Sequence, residues 1–375
     1  MRIKKLSKLI LVIGLLGTNM ACSQVVKESN VNAKNTIQVQ TNKNTVVNQT
    51  TSNSIPNVTE EDQTEKFNKF FSGSIGDETG ENAKVFPFQM RLQRNGKQLS
   101  GKYRYTSSKS DILLNGTIDD QNKFVLSESV DGKNTGKFEG SLENDGEDGL
   151  KMSGTWTKAG TEDFVGFSAD EIALEMSGDV YFQNQTIKEK TNGNDISISY
   201  PQFVGGNFTA LNLALKNIAL QYQNEFKKGK PEKGEENYLE SGYTIEFAND
   251  NIVSVQFGQE SFSGGAHPNH SSQTLNFDLK NNKPIKLADL FKPNSKYLQK
   301  LSQLSKEGLG DNLQFEEGIA PVAKNFSDFL ITKKGLLILF DEYQVAPYAA
   351  GPQEVLISYA DLKEFLIKNE IYGIH

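Results

Sequence analysis

The chain has 375 residues, roughly two domains at about 150 residues each, and its hydrophobic content of 36% is below the ~45–50% of typical globular domains. With 40 Lys and Arg against 47 Asp and Glu, the formal charge is −7. This balance argues against nucleic acid as a partner, because phosphate backbones are bound by clustered basic residues. The single cysteine excludes an intramolecular disulfide and a four-thiolate zinc site. The sequence contains no Walker loop, Rossmann fingerprint, HExxH or GxSxG motif, and only three histidines, so we expect neither a cofactor nor a metal.

The N-terminus has the layout of a secretory signal. A charged start precedes a short apolar run at residues 9–16, which is followed by small and polar residues up to Ala21-Cys22. The apolar run is too short to span a membrane. This ending resembles the lipobox of bacterial lipoproteins, with Asn19 where that pattern usually has leucine. We therefore predict a lipoprotein-type signal peptide over residues 1–21 and acylation, such as palmitate, at Cys22.

Lipidation at Cys22 would anchor the protein to a membrane of the bacterial cell envelope without spanning it. Ser23 follows the cysteine in place of an aspartate retention signal, so we expect the outer membrane in a bacterium that has two. The alternative is ordinary cleavage and release of a soluble secreted protein, for which Asn19 is also a poor fit. Removal of residues 1–21 takes away four of the 40 basic residues and no acid, so the mature formal charge is −11.

The segment after the cysteine, residues 22–62, is predicted to be a disordered tether. It contains no Phe, Tyr or Trp and is rich in Asn, Thr, Gln, Val and Lys. Such a composition buries too little apolar surface to offset the conformational entropy of folding.

Residues 63–170 carry a weak repeat of the form apolar–Ser/Asn/Glu–Gly–x–apolar. Period-two alternation surrounds the copies, and turn pairs such as Asn95-Gly96 and Asp131-Gly132 separate them, which is typical of antiparallel strands. We predict an antiparallel β meander curled into a partial or closed barrel, in which the repeat glycines mark bends, bulges or close strand approach. The copies begin at Phe71, Leu99, Leu114, Phe138 and Met152.

The rest of the chain predicts a connector at residues 171–194, with a strand-like stretch at 172–182, and an α+β domain at residues 195–375. Strands outnumber helices and several are joined as hairpins, which favours an antiparallel sheet over a βαβ series. The predicted strands are residues 196–203, 243–248, 252–262, 272–279, 335–340 and 354–359. Helices are predicted to begin near Asn207, Lys296 and Asp361, the last with Asp361 or Tyr359 near its cap, and residues 287–291 form a short helical turn.

Two segments of this domain are candidate functional loops. In residues 262–268, Gly264-Gly265 permits unusual backbone conformations and Pro268 fixes the exit. His267 and His270 could titrate or bind a metal there, but the alternative is a rigid turn in which His267 bonds to the backbone. Residues 340–352 combine two tyrosines, two prolines and a glycine, which suits either a recognition surface or a loop packed across the sheet edge.

Three motifs in this half occur in a specific order: Gly264-Gly-Ala-His-Pro268, Leu287-Ala-Asp-Leu-Phe291 and Tyr343-Gln-Val-Ala-Pro-Tyr-Ala-Ala-Gly351. The series resembles the extracytoplasmic domain at the C-terminus of the lysozyme-sensing anti-sigma factor, a domain of unknown function in most other proteins that carry it. The same domain recurs in some cell-wall deacetylases and many envelope lipoproteins, beside a companion segment that resembles residues 195–262. The resemblance covers residues 195–370.

The resemblance implies a protein-binding module, since the domain captures lysozyme in the anti-sigma factor and the chemistry of the deacetylases belongs to a separate catalytic domain. This chain lacks that catalytic domain and the transmembrane helix of the anti-sigma factor. We therefore predict a non-enzymatic envelope lipoprotein that binds a protein ligand, such as lysozyme or a similar wall-acting enzyme, and no nucleic acid. Its acidic charge favours the approach of a basic partner. The predicted contact residues are Gly264, Gly265, His267, Pro268, Tyr343, Pro347, Tyr348 and Gly351.

Two other functions stay open at this point. The β module could serve as a carrier or scaffold for a small apolar or glycan ligand held in the mouth of a barrel, although Tyr103, Tyr105 and Trp156 fit a core better than a ligand cage. An enzyme acting on wall glycan needs two positioned carboxylates. The acid pairs Glu316-Glu317 and Asp341-Glu342 are adjacent in sequence, and neighbours in a strand point apart.

Overall fold

The computed structural model describes residues 65–76, 84–144, 146, 149–191, 193–229 and 237–367. The predictions for the signal peptide, Cys22 and the tether lie outside these residues, as does His375. Within the described ranges, no helix combines the length and apolar character needed to cross a membrane.

The N-terminal module is a closed antiparallel β barrel of eight strands. Each strand pairs with the next in sequence, and β1 also pairs with β8, so the predicted meander is confirmed and its closure is complete. The strands are β1 (Lys66–Gly76), β2 (Val85–Asn95), β3 (Gln98–Tyr105), β4 (Ile112–Ile118), β5 (Lys123–Val130), β6 (Lys133–Asn144), β7 (Leu150–Lys158) and β8 (Phe164–Ile172).

The repeat glycines allow neighbouring strands to approach closely. A Cβ added at any of the five would lie 1.8–2.1 Å from a backbone oxygen of the adjacent strand, far inside contact distance. A sheet of only eight strands must coil strongly to close, and these glycines are where the backbones meet. They are Gly73, Gly101, Gly116, Gly140 and Gly154.

The barrel interior is filled by its own side chains. Aromatic rings pack edge-to-face through the middle, as Tyr103 and Phe138 do with centroids 5.3 Å apart. The largest fully buried side chains of this core are Phe71, Phe88, Met90, Leu92, Tyr103, Leu114, Ile118 and Phe138.

The second module begins with a six-stranded sheet in the order β14-β13-β12-β11-β10-β9. All neighbours are antiparallel except β10 and β11, so the predicted antiparallel sheet has one parallel pair. The cause is helix α1, which carries the chain from the end of β10 back to the start of β11, as parallel pairing requires. Strand β9 lies within the predicted connector and pairs along its length with β10. The elements are β9 (Tyr181–Thr191), β10 (Asn194–Val204), α1 (Thr209–Lys228), β11 (Asn237–Ala248), β12 (Ile252–Phe262), β13 (Asn269–Asp278) and β14 (Lys283–Pro284).

Helix α1 covers one face of this sheet with the apolar positions that its 3.6-residue period predicts. The buried positions are Leu211, Leu215, Ile218, Ala219 and Tyr222.

A second, three-stranded sheet in the order β15-β16-β17 packs with α2 and α3 around a separate apolar core. Asn276 of β13 joins the two sheets, because its side chain donates to Phe329 O at 2.7 Å and accepts from Ile331 N at 2.8 Å. The elements are α2 (Tyr297–Leu309), β15 (Phe329–Ile331), β16 (Gly335–Phe340), β17 (Gln353–Ser358) and α3 (Tyr359–Leu362), with a 3₁₀ turn at Leu287–Leu290.

The barrel is fixed to the second module by hydrogen bonds from strands β2 and β3. Gln89 donates to Phe182 O at 2.7 Å and accepts from Phe182 N at 3.2 Å. Arg91 Nη2 donates to Val180 O at 2.8 Å, and Arg104 Nη2 donates to Asp179 Oδ2 at 2.7 Å.

Candidate functional site

The two loops singled out in the sequence meet in the structure. One loop, residues 263–268, joins β12 to β13, and the other, residues 341–352, joins β16 to β17. The hydroxyl of Tyr348 donates to Pro268 O at 3.0 Å, and its ring stacks on His267 with centroids 3.8 Å apart. We refer to residues 263–268 and 341–352 as the paired loops.

The first loop is shaped by its glycines and its proline. Gly264 and Gly265 have φ of 100° and 109°, values that L side chains rarely adopt. Beyond them, His267 Nδ1 lies 2.8 Å from Pro268 O. The turn thus holds the imidazole face against Tyr348 of the second loop.

The second loop presents tyrosine rings to solvent. Tyr343 has φ of 65°, in the left-handed region, and its side chain is 58% exposed. Pro347 precedes a 3₁₀ turn at Tyr348–Ala350, and Gly351, with φ of 69°, ends it. The rings of Tyr343 and Tyr348 lie 5.9 Å apart, so the loop displays an aromatic pair.

Acidic side chains lie beside these rings. His270 sits between two carboxylates, with Nδ1 2.8 Å from Glu342 Oε1 and Nε2 3.2 Å from Glu260 Oε2. Tyr238 donates to Glu260 Oε1 at 2.5 Å and stacks on Phe262. Because the carboxylates contact opposite ring nitrogens, they do not converge on a common point, and the described residues form no group of three metal ligands.

The pKa values of two tyrosines at this cluster are raised. Burial and the hydrogen bond to Glu260 raise the pKa of Tyr238 to about 12. Partial desolvation and the charges of Glu342 and Glu260 also raise the pKa of Tyr348. Both phenols are therefore neutral at physiological pH.

Three acids of the adjacent pairs, Asp341, Glu342 and Glu316, contact different residues. Asp341 Oδ1 accepts from the backbone and the hydroxyl of Ser272, both at 3.0 Å, whereas Glu342 contacts His270. Glu316 forms an exposed ion pair with Lys306. Each of these carboxylates thus has a different structural partner.

The structure brings His267, Pro268, Tyr343 and Tyr348 together, while the glycines of the paired loops contribute backbone shape. Glu342 lies in the second loop that the sequence singled out, but sequence reasoning did not place Tyr238 or Glu260 at this site. Their only sequence signal is the alternation along β11 and β12, which does not reveal the strand register.

Two family models match this half of the chain. Residues 187–270 match the model described as "Deacetylase PdaC", and residues 288–360 match the model described as "Protein of unknown function (DUF3298)". The first match contains the loop at residues 263–268, and the second contains the loop at residues 341–352. These matches confirm the resemblance of the C-terminal half to a domain of unknown function that is shared with a cell-wall deacetylase.

The chain is also similar to individual proteins. It is 30% identical over 182 residues to "Peptidoglycan-N-acetylmuramic acid deacetylase PdaC" of Bacillus subtilis, covering 45% of this chain and 38% of the relative. It is 26% identical over 108 residues to "Immunogenic protein MPT64" of Mycobacterium tuberculosis, covering 28% of this chain and 47% of the relative. The chain thus spans less than half the length of these curated relatives.

Two solved structures of the DUF3298 family cover about half of the chain. The protein from Bacteroides fragilis has a TM-score of 0.40 and 20% identity, and covers 52% of this chain and 97% of its own length. The protein from Pseudomonas aeruginosa has a TM-score of 0.40 and 16% identity, with coverages of 51% and 95%.

Proposed function

We propose that this chain is a non-enzymatic protein of the bacterial cell envelope that binds a protein ligand through the paired loops. The class of ligand is a basic wall-acting enzyme, such as lysozyme. The observation that best supports this proposal is that the two loops form one surface, on which Tyr343 and Tyr348 lie beside Glu260 and Glu342.

The chemistry of this surface fits a basic partner. Tyrosine rings bury a large contact area at a low cost in side-chain entropy, which makes them frequent anchors at interfaces. Neither loop contains a lysine or arginine, and the contacts of the two carboxylates beside the rings are to His270 and Tyr238. A lysine or arginine of the partner would gain both a cation–π contact and a charge-assisted hydrogen bond.

The relatives support an extracytoplasmic location. A protein named as a peptidoglycan deacetylase shares the matched region, and peptidoglycan lies outside the cytoplasm.

The proposed signal peptide and acylation of Cys22 extend the proposal to a lipid anchor. Metabolic labelling with a palmitate analogue tests it: label is expected in the native chain and lost in Cys22→Ser, and an unlabelled native chain would remove the anchor from the proposal.

Calorimetry of the full-length chain in mild detergent against a c-type lysozyme tests the binding function. We expect saturable heat with a micromolar Kd or tighter, weaker binding in higher salt, and loss of lytic activity in the complex. Phe164→Ala, which removes an exposed ring from the barrel, is the control and should bind unchanged. Absence of heat at about 100 μM lysozyme would contradict the proposed partner.

A further inference from the structure

The two ends of the barrel differ in how their inward-facing side chains are covered. At the end where β3 and β5 begin, Leu99 and Phe124 are each 2% exposed. At the opposite end, Phe86 is 52% exposed and Val165 is 39% exposed, although both continue the inward alternation of β2 and β8. Among the described residues, inward-facing apolar side chains are thus more exposed at this end of the barrel, the open end, than at the other.

Aromatic side chains surround the open end, which we define by Phe86, Tyr105, Trp156 and Val165. Phe86 meets Tyr105 edge-to-face with centroids 6.2 Å apart, and Tyr105 and Trp156 pack partly buried on the barrel core. Trp156 and Val165 are directly opposite in the register of β7 and β8, so they share the inward face. Aromatic rings from three strands thus lie at this end of the barrel.

A buried carboxylate lies beneath these rings. Glu128 is 3% exposed, and its Oε2 accepts from Tyr103 Oη at 2.5 Å and from Trp156 Nε1 at 3.0 Å. Oε1 lies beside Gly136, where an added Cβ would be 2.8 Å from it. Among the described residues, no lysine or arginine makes an ion pair with Glu128.

The phenols around Glu128 are held neutral. Burial and the hydrogen bond to Glu128 raise the pKa of Tyr103. Burial and the charge of Glu128 raise the pKa of Tyr105. Glu128 is therefore surrounded by neutral aromatic side chains, and within the described ranges no basic side chain pairs with it.

We propose that the open end of the barrel binds an alkylammonium group, with its alkyl chain against the aromatic walls and its charge paired with Glu128. Carboxylates and ring faces together are the groups that recognise organic cations, because both present negative potential. The ammonium belongs to a free amine or to a lysine side chain, which share this chemistry. The proposal is independent of the paired loops, since it uses no residue of theirs.

Trp156 is the only tryptophan of the chain and donates to Glu128, so its fluorescence reports on this site directly. The full-length chain is titrated with n-butylammonium chloride at constant ionic strength, and with n-butanol as the neutral analogue. We expect a saturable spectral change with the ammonium and at least tenfold weaker binding of the alcohol. Equal binding of both compounds, or no saturable change with the ammonium, would overturn the proposal.

A variant of Glu128 and a matched control locate the binding. Glu128→Gln keeps an acceptor for Tyr103 and Trp156 but removes the charge, and should weaken ammonium binding at least tenfold. Glu139→Gln removes a carboxylate from the adjacent strand, where it pairs with Lys137, and should leave binding unchanged. If Glu128→Gln folds and binds like the native chain, the proposal fails.

If Glu128→Gln does not fold, Phe86→Ala tests the proposed binding site instead. Phe86 is exposed, so its loss leaves the core intact. It should weaken ammonium binding several-fold, and native affinity would overturn the proposal.

Nα-acetyl-lysine amide separates the two sources of the ammonium group. Tighter binding than n-butylammonium indicates a lysine side chain, and weaker binding indicates a free amine.

Discussion

His267 and Tyr348 lie face to face, with ring centroids 3.8 Å apart and an angle of 28° between their planes. One loop connects strands β12 and β13 of the six-stranded sheet, and the other connects β16 and β17 of the three-stranded sheet. This stack, with the hydrogen bond from Tyr348 to Pro268 O, therefore joins the two sheets at the site. The relative position of the exposed Tyr343 and the acidic cluster therefore depends on Tyr348.

Two substitutions at Tyr348 separate its ring from its hydroxyl. Tyr348→Phe keeps the stack on His267 and loses one hydrogen bond, and should weaken binding of a c-type lysozyme up to about tenfold. Tyr348→Ala loses both contacts and should cost about 2 kcal/mol or more, roughly thirtyfold in Kd. Calorimetry measures both. Tyr297→Phe, in a separate stack on Phe291, is the matched control, and native affinity of Tyr348→Ala would contradict the role of the loops.

The repeat glycines predict a sharp contrast between two barrel glycines. At Gly116 an added Cβ would lie 1.8 Å from Val125 O, so Gly116→Ala should lower the free energy of unfolding by about 3 kcal/mol or more. At Gly166 the nearest atom would be 4.0 Å away, so Gly166→Ala should change it by less than about 1 kcal/mol. Urea unfolding followed by circular dichroism measures both, and equal effects would show that close approach is not why these glycines occur.

The strands of the barrel could be predicted from the sequence because their signals are local. Alternation and turn pairs act over a few residues, and Asp131-Gly132 indeed adopts the positive φ values, 50° and 75°, of a tight hairpin turn. Closure and the parallel pair were not predictable in the same way. The pairing of β1 with β8 and of β10 with β11 joins strands that are distant in sequence, and single-sequence patterns do not specify such partners.

The same distinction applies to the candidate site. Glycine, proline and tyrosine mark the paired loops because backbone shape and exposed rings are properties of single positions. The acidic cluster exists only once β11, β12 and β13 are in register, since Tyr238 is opposite Phe262 and Glu260 is opposite His270. A shift of one residue would send these side chains to the other face.

The interface between barrel and second module should weaken in acid. Burial alone would raise the pKa of Asp179, but hydrogen bonds from Lys102 and Arg104 outweigh it and lower that pKa below the ordinary value of an aspartate. A lowered native pKa stabilises the fold above about pH 4, and this contribution is lost as pH falls through the native value. The contribution of Asp179 to the free energy of unfolding is modest because its side chain is half exposed.

Asp179→Asn should therefore flatten the acid limb of the stability curve, with a smaller loss of unfolding free energy between about pH 6 and pH 3 than in the native chain. Urea unfolding at stepwise pH gives this comparison. Asp120→Asn removes an exposed carboxylate that pairs with Lys97 on the barrel surface, and should retain the native acid limb. Identical limbs in all three proteins would rule out the Asp179 contribution.

Asn276 connects the two sheets that carry the paired loops. Its side chain is 3% exposed and bonds to Ser254, Phe329 and Ile331 at 2.7–2.8 Å. Asn276→Ala leaves the buried amide of Ile331 and the carbonyl of Phe329 without that partner, and should lower the free energy of unfolding by about 3 kcal/mol. Asn269→Ala, at the exposed start of the same strand, should change it by less than about 0.5 kcal/mol.

Where Asn276→Ala still folds, lysozyme binding should also weaken, because the sheets that carry the paired loops lose a bridge between them. Native stability and affinity in this variant would show that packing alone aligns the two sheets.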